Sequence, residues 1–234
     1  MNKAIIFDVD GTLAETEEAH RMAFNAAFRE FGLDWAWDTA TYASLLTVTG
    51  GKERIVSWAR SLRLPWLAPG RVKAIHMRKN ELYAEAVRQG FVVPRRGALK
   101  FIDQARRQGL RLAIATTTSR ENFSALMEAA FAHWPTDMFS SVVCGEGVKH
   151  KKPDPEAYMT CLKELSLGPG DAVAIEDSEV GPRSAIRAGL LKVVTPSFYT
   201  KHQSFSEATA VLPDLNIDLQ HLLKGLAVAA NRHS

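Results

Sequence analysis

Ala4-Ile5-Ile6-Phe7-Asp8-Val9-Asp10-Gly11-Thr12 joins a short apolar run to two carboxylates at alternate positions and an Asp-Gly pair. An apolar run of this length, bounded by polar residues, reads as a buried strand. Asp8 and Asp10 point the same way only while the chain stays extended, because strand side chains alternate faces. Asp-Gly is also a common turn dipeptide, yet two acids at the end of an apolar strand are costly unless a cation joins them. Similar apolar runs recur at 110–115, 141–144, 172–175 and 192–194. Amphipathic stretches of helical length lie near 98–107, 121–132, 155–165 and 182–188. This alternation predicts an α/β fold, a doubly wound parallel sheet. Asp8, Asp10, Thr116 to Ser119 and Glu176 to Ser178 fall just after strands, on the carboxyl edge where such sheets bind ligands.

The stretch 14–91 departs from that alternation. It shows no strand and reads as a helical domain inserted into a core formed by 1–13 and 92–234. Ala23, Phe24, Ala27, Phe28 and Phe31 recur at helical spacing, as do Ile55, Trp58, Ala59 and Leu62, and then Val72, Ile75, Leu82, Tyr83 and Ala86. Pro and Gly mark 64–70 as a loop, and the tail beyond Asp214 reads as a last helix.

Composition narrows the function. The 234 residues are 46% hydrophobic and 24% charged, the proportions of a globular protein rather than a disordered or fibrous one. Lys and Arg number 29 against 26 Asp and Glu, a formal charge of only +3, and no dense basic run occurs, so nucleic acid is not an expected partner. Cys144 and Cys161 are too few and too isolated for a disulfide framework or a zinc site; they read as buried thiols in a reducing compartment. No stretch supplies the ~18 continuous apolar residues of a membrane span. The first residues run straight into Asp8 without the apolar segment of a secretory signal. A cytoplasmic location is expected, or the plastid stroma after loss of a transit peptide if the source is a photosynthetic eukaryote. The size and modest charge are compatible with a monomer.

Glu176-Asp177 adds two more carboxylates after another apolar strand. Four acids converging on one sheet edge repel unless a hard cation sits among them, and oxygen ligands in a partly open shell suit Mg²⁺. Thr116 offers a hydroxyl and loop amides to a phosphate oxygen, although a Thr after a strand is often only a helix cap. Lys152 sets a cation just before Pro153; such a lysine is commonly solvated. Taken in order, Asp8-Val9-Asp10-Gly11-Thr12, Thr116, Lys152-Pro153 and Glu176-Asp177 resemble the haloacid-dehalogenase superfamily over nearly the whole chain. The resemblance implies that Asp8 is the nucleophile that takes the phosphoryl group. Asp10 would then protonate the leaving oxygen and later activate water. Thr116 and Lys152 would hold the phosphate, while Asp8, the main-chain carbonyl of Asp10 and Asp177, with Glu176 close by, would hold Mg²⁺. Dehalogenases of the superfamily usually lack the second acid, so Asp10 favours phosphate chemistry.

Polar residues also interrupt the apolar helix faces of the inserted segment. At about 100° per residue, Glu17 and His20 share an arc with Phe24, Phe28 and Phe31; His76 and Lys79 share one with Val72, Ile75, Tyr83 and Ala86. Each can be a core histidine or a lysine snorkelling to water, or can line a cleft facing Asp8. Gly50 and Gly51 precede a helix start with Lys52 behind them, a turn whose amides can bind a second anion or simply begin the helix. If these residues face the cleft, a sugar bisphosphate fits better than a monophosphate.

Thr49 to Arg54, His76 with Lys79, the Thr116-Thr117-Thr118-Ser119 run and Ser197-Phe198-Tyr199-Thr200 resemble the CbbY group, which is similar to β-phosphoglucomutase in architecture but hydrolyses xylulose-1,5-bisphosphate to xylulose 5-phosphate, relieving Rubisco of an inhibitor. That resemblance implies substrate contacts from Glu15, Gly50, Gly51, Lys52, His76, Lys79, Thr116, Thr117 and Lys152. A sugar-phosphate mutase, a phosphatase for another small sugar phosphate, and a phospho-switch of the receiver type remain as alternatives. Receivers lack an inserted helical segment.

Overall fold

The computed structural model describes residues 2–63, 67–135 and 137–230. Their contacts divide them into two compact units. One takes the chain up to Glu15, Pro94–Thr117, and His133 onward; the other takes Thr16–Val93 and Thr118–Ala132.

The first unit is built on six parallel strands: β1 (Ala4–Phe7), β2 (Arg111–Ala115), β3 (Ser141–Val143), β4 (Ala172–Glu176), β5 (Leu191–Val194) and β6 (Ala210–Val211), in the order β3-β2-β1-β4-β5-β6. Only β6, two residues long, has too little sequence to show an apolar run. Alternation gives each face its own packing. Ala4, Ile6, Ala113, Ala115, Ala172 and Ala174 form one face, and the five alanines among them leave room for Tyr158, Cys161 and Leu162 of α7 (Glu156–Glu164) in the same cluster. Ala185 of α8 (Val180–Arg187) joins the same cluster. On the opposite face Phe7 meets Phe101 of α5 (Ala98–Arg107) edge-on, with ring centroids 6.2 Å apart. Gln104 of α5 also ties down the last helix, α9 (Leu219–Ala230), by accepting from Leu219 N at 2.9 Å. Both cysteines are buried and neither forms a disulfide.

Register decides where the carboxylates emerge. Phe7 lies level with Ile114 on one side and Ile175 on the other, so the chains leaving β1, β2 and β4 end at one height. The ladder runs one residue further, with Asp8 N donating to Ile175 O at 2.9 Å and Thr116 N to Val143 O at 3.0 Å.

The second unit comprises α1 (Glu17–Glu30), α2 (Thr39–Leu45), α3 (Gly51–Ser61), α4 (Pro69–Arg88) and α6 (Arg120–Ala130). Its core is aromatic: Trp37, fully buried in the link after α1, lies 4.8 Å from the rings of both Phe24 and Phe28. Asn25 pins that link by accepting from Trp37 N and donating to Trp37 O, each at 2.8 Å. Of the expected loop at 64–70, residues 64–66 lie outside the described residues, and Pro69 instead opens α4, since a proline at the first helical position loses no hydrogen bond. The sequence reading left 121–132 in the core, whereas α6 groups with the other helices. Asn122 donates to Asn80 Oδ1 at 3.1 Å, and Asn80 donates to Ser119 Oγ at 3.4 Å. Buried amides of this kind carry no periodic signal that says which neighbour a helix takes. Among the described residues no helix is long and apolar enough to cross a membrane.

Candidate active site

Asp8 leaves β1 almost wholly buried, with Oδ1 accepting from Lys152 Nζ at 2.8 Å and Oδ2 facing the Thr12 hydroxyl at 3.4 Å. Burial pushes its carboxyl up to about 8; Lys152 pulls the other way, and the Glu176 and Asp10 carboxylates add to the rise. Lys152 also donates to Glu176 Oε1 at 2.6 Å. Burial alone would lower this ammonium's pKa, but the two carboxylates more than reverse that and hold it charged above the usual lysine range. The turn before α7 is held by Glu156, whose carboxylate accepts from the amides of Lys149 and His150 at 2.8 Å each.

Tyr158 completes this part of the network by donating its hydroxyl to Glu176 Oε1. The sequence reading missed it. The one available signal was a phenol on the otherwise apolar face of α7, since a buried Tyr hydroxyl needs a partner. The Glu176 carboxylate also rests directly on Gly181: a Cβ there would lie 1.9 Å from Glu176 Cδ.

Asp177 is set by two loops. Gly11, with φ +75°, presents bare backbone to it, and a Cβ at this position would lie 2.2 Å from Asp177 Oδ2. From the other side the Thr200 hydroxyl reaches Asp177 O at 2.7 Å and Oδ2 at 3.2 Å, and is itself held by Ser197 N at 2.9 Å. Asp8, Glu176 and Asp177 each offer a carboxylate oxygen within 4.8 Å of the others, all from buried residues. When all three are ionised, one lysine leaves two negative charges uncancelled within the group. An all-oxygen donor set with that charge fits a hard divalent cation. The Asp10 carboxylate is not a member of this group of three. Asp10 and Thr117 are half-buried and Thr116 fully buried, all on the same edge.

Glu15 also belongs to this unit. Its Oε1 pairs with Arg95 Nε at 3.0 Å; burial raises its carboxyl, while Arg95 and the Phe198 amide pull it down.

In the helical unit the remaining candidates are Gly50, Gly51, Lys52, His76 and Lys79. Gly50, with φ +94°, caps α3, and Gly51 follows with no room for a side chain, because a Cβ would lie 2.4 Å from His76 Nε2. Lys52 stands exposed on the first turn of that helix. Lys79 does not snorkel. It is 4% exposed, its ammonium 2.8 Å from His20 Nδ1 and 4.9 and 5.3 Å from the ring centroids of Phe24 and Tyr83. His20 in turn stacks on Tyr83 at 3.9 Å. A helical wheel places these residues on an apolar arc but does not say how deep the arc lies.

The model of the haloacid dehalogenase-like hydrolases matches residues 2–189. The chain belongs to that family. This hydrolase is 46% identical over 212 residues to Protein CbbY of Cereibacter sphaeroides, covering 91% of this chain and 92% of that protein. Its fold superposes on a crystal structure of CbbY from Rhodobacter sphaeroides in complex with phosphate, with a TM-score of 0.87, 45% identity, and coverage of 97% of this chain and 100% of that one. A mutant of CbbY from the same organism, in complex with xylulose-(1,5)bisphosphate, matches with a TM-score of 0.86 and 46% identity over 92% of this chain and 96% of that chain. The hydrolase is thus an enzyme of the CbbY group, a haloacid-dehalogenase-type phosphatase.

Proposed function

We propose that this phosphatase is a Mg²⁺-dependent enzyme that works through an aspartyl-phosphate on Asp8 and converts xylulose-1,5-bisphosphate to xylulose 5-phosphate. The observation that carries the reading is the buried Asp8 carboxylate, fixed by Lys152 at 2.8 Å within a group of three acids. The likeness to a CbbY structure holding xylulose bisphosphate supports the choice of sugar.

A phosphate dianion and a carboxylate repel, so attack by Asp8 requires positive charge around both. Lys152, fixed by Asp8 and Glu176, supplies one charge; Thr116 and Thr117 supply donors at the end of β2 that align the phosphoryl group. Asp8, Asp177 and the Asp10 carbonyl, with Glu176 beside them, would hold Mg²⁺, which supplies further charge neutralisation and orientation when bound. On this reading Asp8 attacks phosphorus while Asp10 gives a proton to the departing sugar oxygen. Asp10 then takes a proton from the water that cleaves the aspartyl-phosphate, dividing one difficult hydrolysis into two easier steps. From the resemblance to CbbY, Gly50, Gly51, Lys52, His76 and Lys79 are the residues proposed for the second phosphate, and Glu15 for the sugar. The enzyme works in the cytoplasm, a compartment that keeps Cys144 and Cys161 reduced, and its partners are small sugar phosphates.

The test is release of inorganic phosphate from a panel of sugar phosphates with xylulose-1,5-bisphosphate and ribulose-1,5-bisphosphate side by side. Mg²⁺-dependent release is expected, fastest from xylulose-1,5-bisphosphate. Isomerised sugar phosphate without net release would replace hydrolysis by a mutase reaction.

A further inference from the structure

Arg95 follows directly after Pro94, where the chain re-enters the first unit, and its side chain is only 9% exposed. None of the sequence motifs includes it. Its guanidinium grips the two loops that border Asp177. Nη1 donates to the Gly11 carbonyl, to Thr195 O at 2.6 Å and to Thr195 Oγ1 at 3.1 Å; Nη2 donates to Pro196 O at 2.8 Å. Nε faces Glu15 at 3.0 Å, so each nitrogen of the fork has a partner.

These acceptors belong to the structures that locate the Asp177 carboxylate. The Gly11 backbone forms one wall, leaving no room for a Cβ beside Oδ2. The 195–200 loop forms the other, through the chain from Ser197 N to the Thr200 hydroxyl to Asp177. A Cβ at Gly11 would also lie 3.1 Å from Ser197 Cβ, so the two walls are within contact of each other. Three main-chain carbonyls converging on one buried point require donors. A planar cation with five N–H groups can serve all of them at once, whereas the three rotating donors of an ammonium cannot reproduce the fork.

We propose that Arg95 is a positioning residue for metal capture: by fixing the Gly11 and 195–200 loops against each other it aims the Asp177 carboxylate at the cation. Glu15 sets the orientation of the guanidinium. The inference rests on the metal-dependent reading given above, and it assigns Arg95 no contact with substrate. Residues that orient a metal ligand in this way typically change metal affinity by 10- to 100-fold when replaced.

The experiment measures Mn²⁺ binding directly, by electron paramagnetic resonance of the free ion without substrate, in the full chain. Wild type, Arg95→Lys, Thr200→Val, the double variant and Asp177→Asn are compared. KM and kcat for p-nitrophenyl phosphate at saturating Mg²⁺ are recorded beside it. Arg95→Lys keeps the charge and is expected to weaken Mn²⁺ binding by at least about tenfold, with KM at saturating metal unchanged. Thr200→Val, which cuts the same path further along, should move affinity in the same direction. The double variant should lose less than the product of the two, because both act on one carboxylate.

Wild-type Mn²⁺ affinity in a folded Arg95→Lys protein, whatever its melting temperature, would overturn the proposal and reduce Arg95 to a structural tie. Should Arg95→Lys fail to fold by circular dichroism, Thr200→Val decides alone, and wild-type affinity there overturns the proposal equally. If Asp177→Asn binds Mn²⁺ as well as wild type does, the metal reading itself has failed, and this inference falls with it.

Discussion

Lys152 and Lys79 are each 4% exposed, yet the two units hold their buried ammonium groups by different means. Lys152 lies between two carboxylates, Asp8 at 2.8 Å and Glu176 at 2.6 Å. Lys79 rests on an imidazole nitrogen and the faces of two aromatic rings. Paired carboxylates lock an ammonium in place and keep it charged, since neither partner can leave without exposing the other's charge. Aromatic rings attract a cation through their quadrupole, about 0.5–2 kcal/mol for each ring, and an imidazole nitrogen accepts from an ammonium only in the tautomer that leaves that nitrogen unprotonated. The first arrangement suits a group that must sit at a fixed distance from a nucleophile. For Lys79 the proposed part is a different one, contact with the remote anion of an arriving substrate.

Asp8→Asn strikes the first arrangement hardest. It keeps the shape and one acceptor for Lys152 but removes the nucleophile, and hydrolysis should fall by on the order of 10⁴-fold or more with the melting temperature little changed. Turnover within about a hundredfold of wild type would take the nucleophilic role away from Asp8. Chelation comes next. Stripping divalent cations should leave the group of three acids without its divalent counter-charge and stop turnover of every substrate, and added Mg²⁺ should restore it. Undiminished activity after exhaustive chelation would mean that Lys152 alone balances the site.

A smaller effect is expected from Tyr158→Phe, which deletes one donor to Glu176 and keeps the ring in the core. A hydrogen bond to a charged group contributes about 1.5–3 kcal/mol, so kcat should drop by about tenfold or more if Glu176 sets the position of Lys152. An unchanged kcat with a lowered melting temperature would show that Lys152 is held well enough by Asp8 alone. The mildest change is Lys79→Met. On a bisphosphate it should cost about tenfold in kcat/KM, while p-nitrophenyl phosphate, which lacks a remote anion, should be turned over within about twofold of wild type. Equal losses on both substrates would erase the distinction between the two lysines.

The parts of this site that were legible in sequence are those that depend on local order. An apolar run ending in Asp8, another ending in Glu176-Asp177 and a third ending at Thr116 announce strand ends, and parallel strands bring their carboxyl ends to one edge. The doubly wound core followed from the same runs, while β6 was too short to register. Tyr158 and Arg95 were not singled out because each acts through a partner far along the chain, and Thr200 stood only within the Ser197–Thr200 stretch, with no role attached to it. Arg95 reaches back 84 residues to Gly11 and forward 100 to Thr195. No periodicity encodes such a pairing.

The amino-acid sequence by itself determined that strand-end acids, a threonine and a lysine stand in the order of the haloacid-dehalogenase motifs, and that helices interrupt the core after the first strand. Strand alternation and helical spacing are properties of neighbouring residues, so they survive in the one-dimensional record. Only the tertiary structure decided that Lys152 is shared between Asp8 and Glu176, that Lys79 is enclosed by rings instead of reaching water, and that α6 joins the helical unit. Those outcomes are set by burial depth and by hydrogen bonds closed across long stretches of chain, which exist only once the elements have packed.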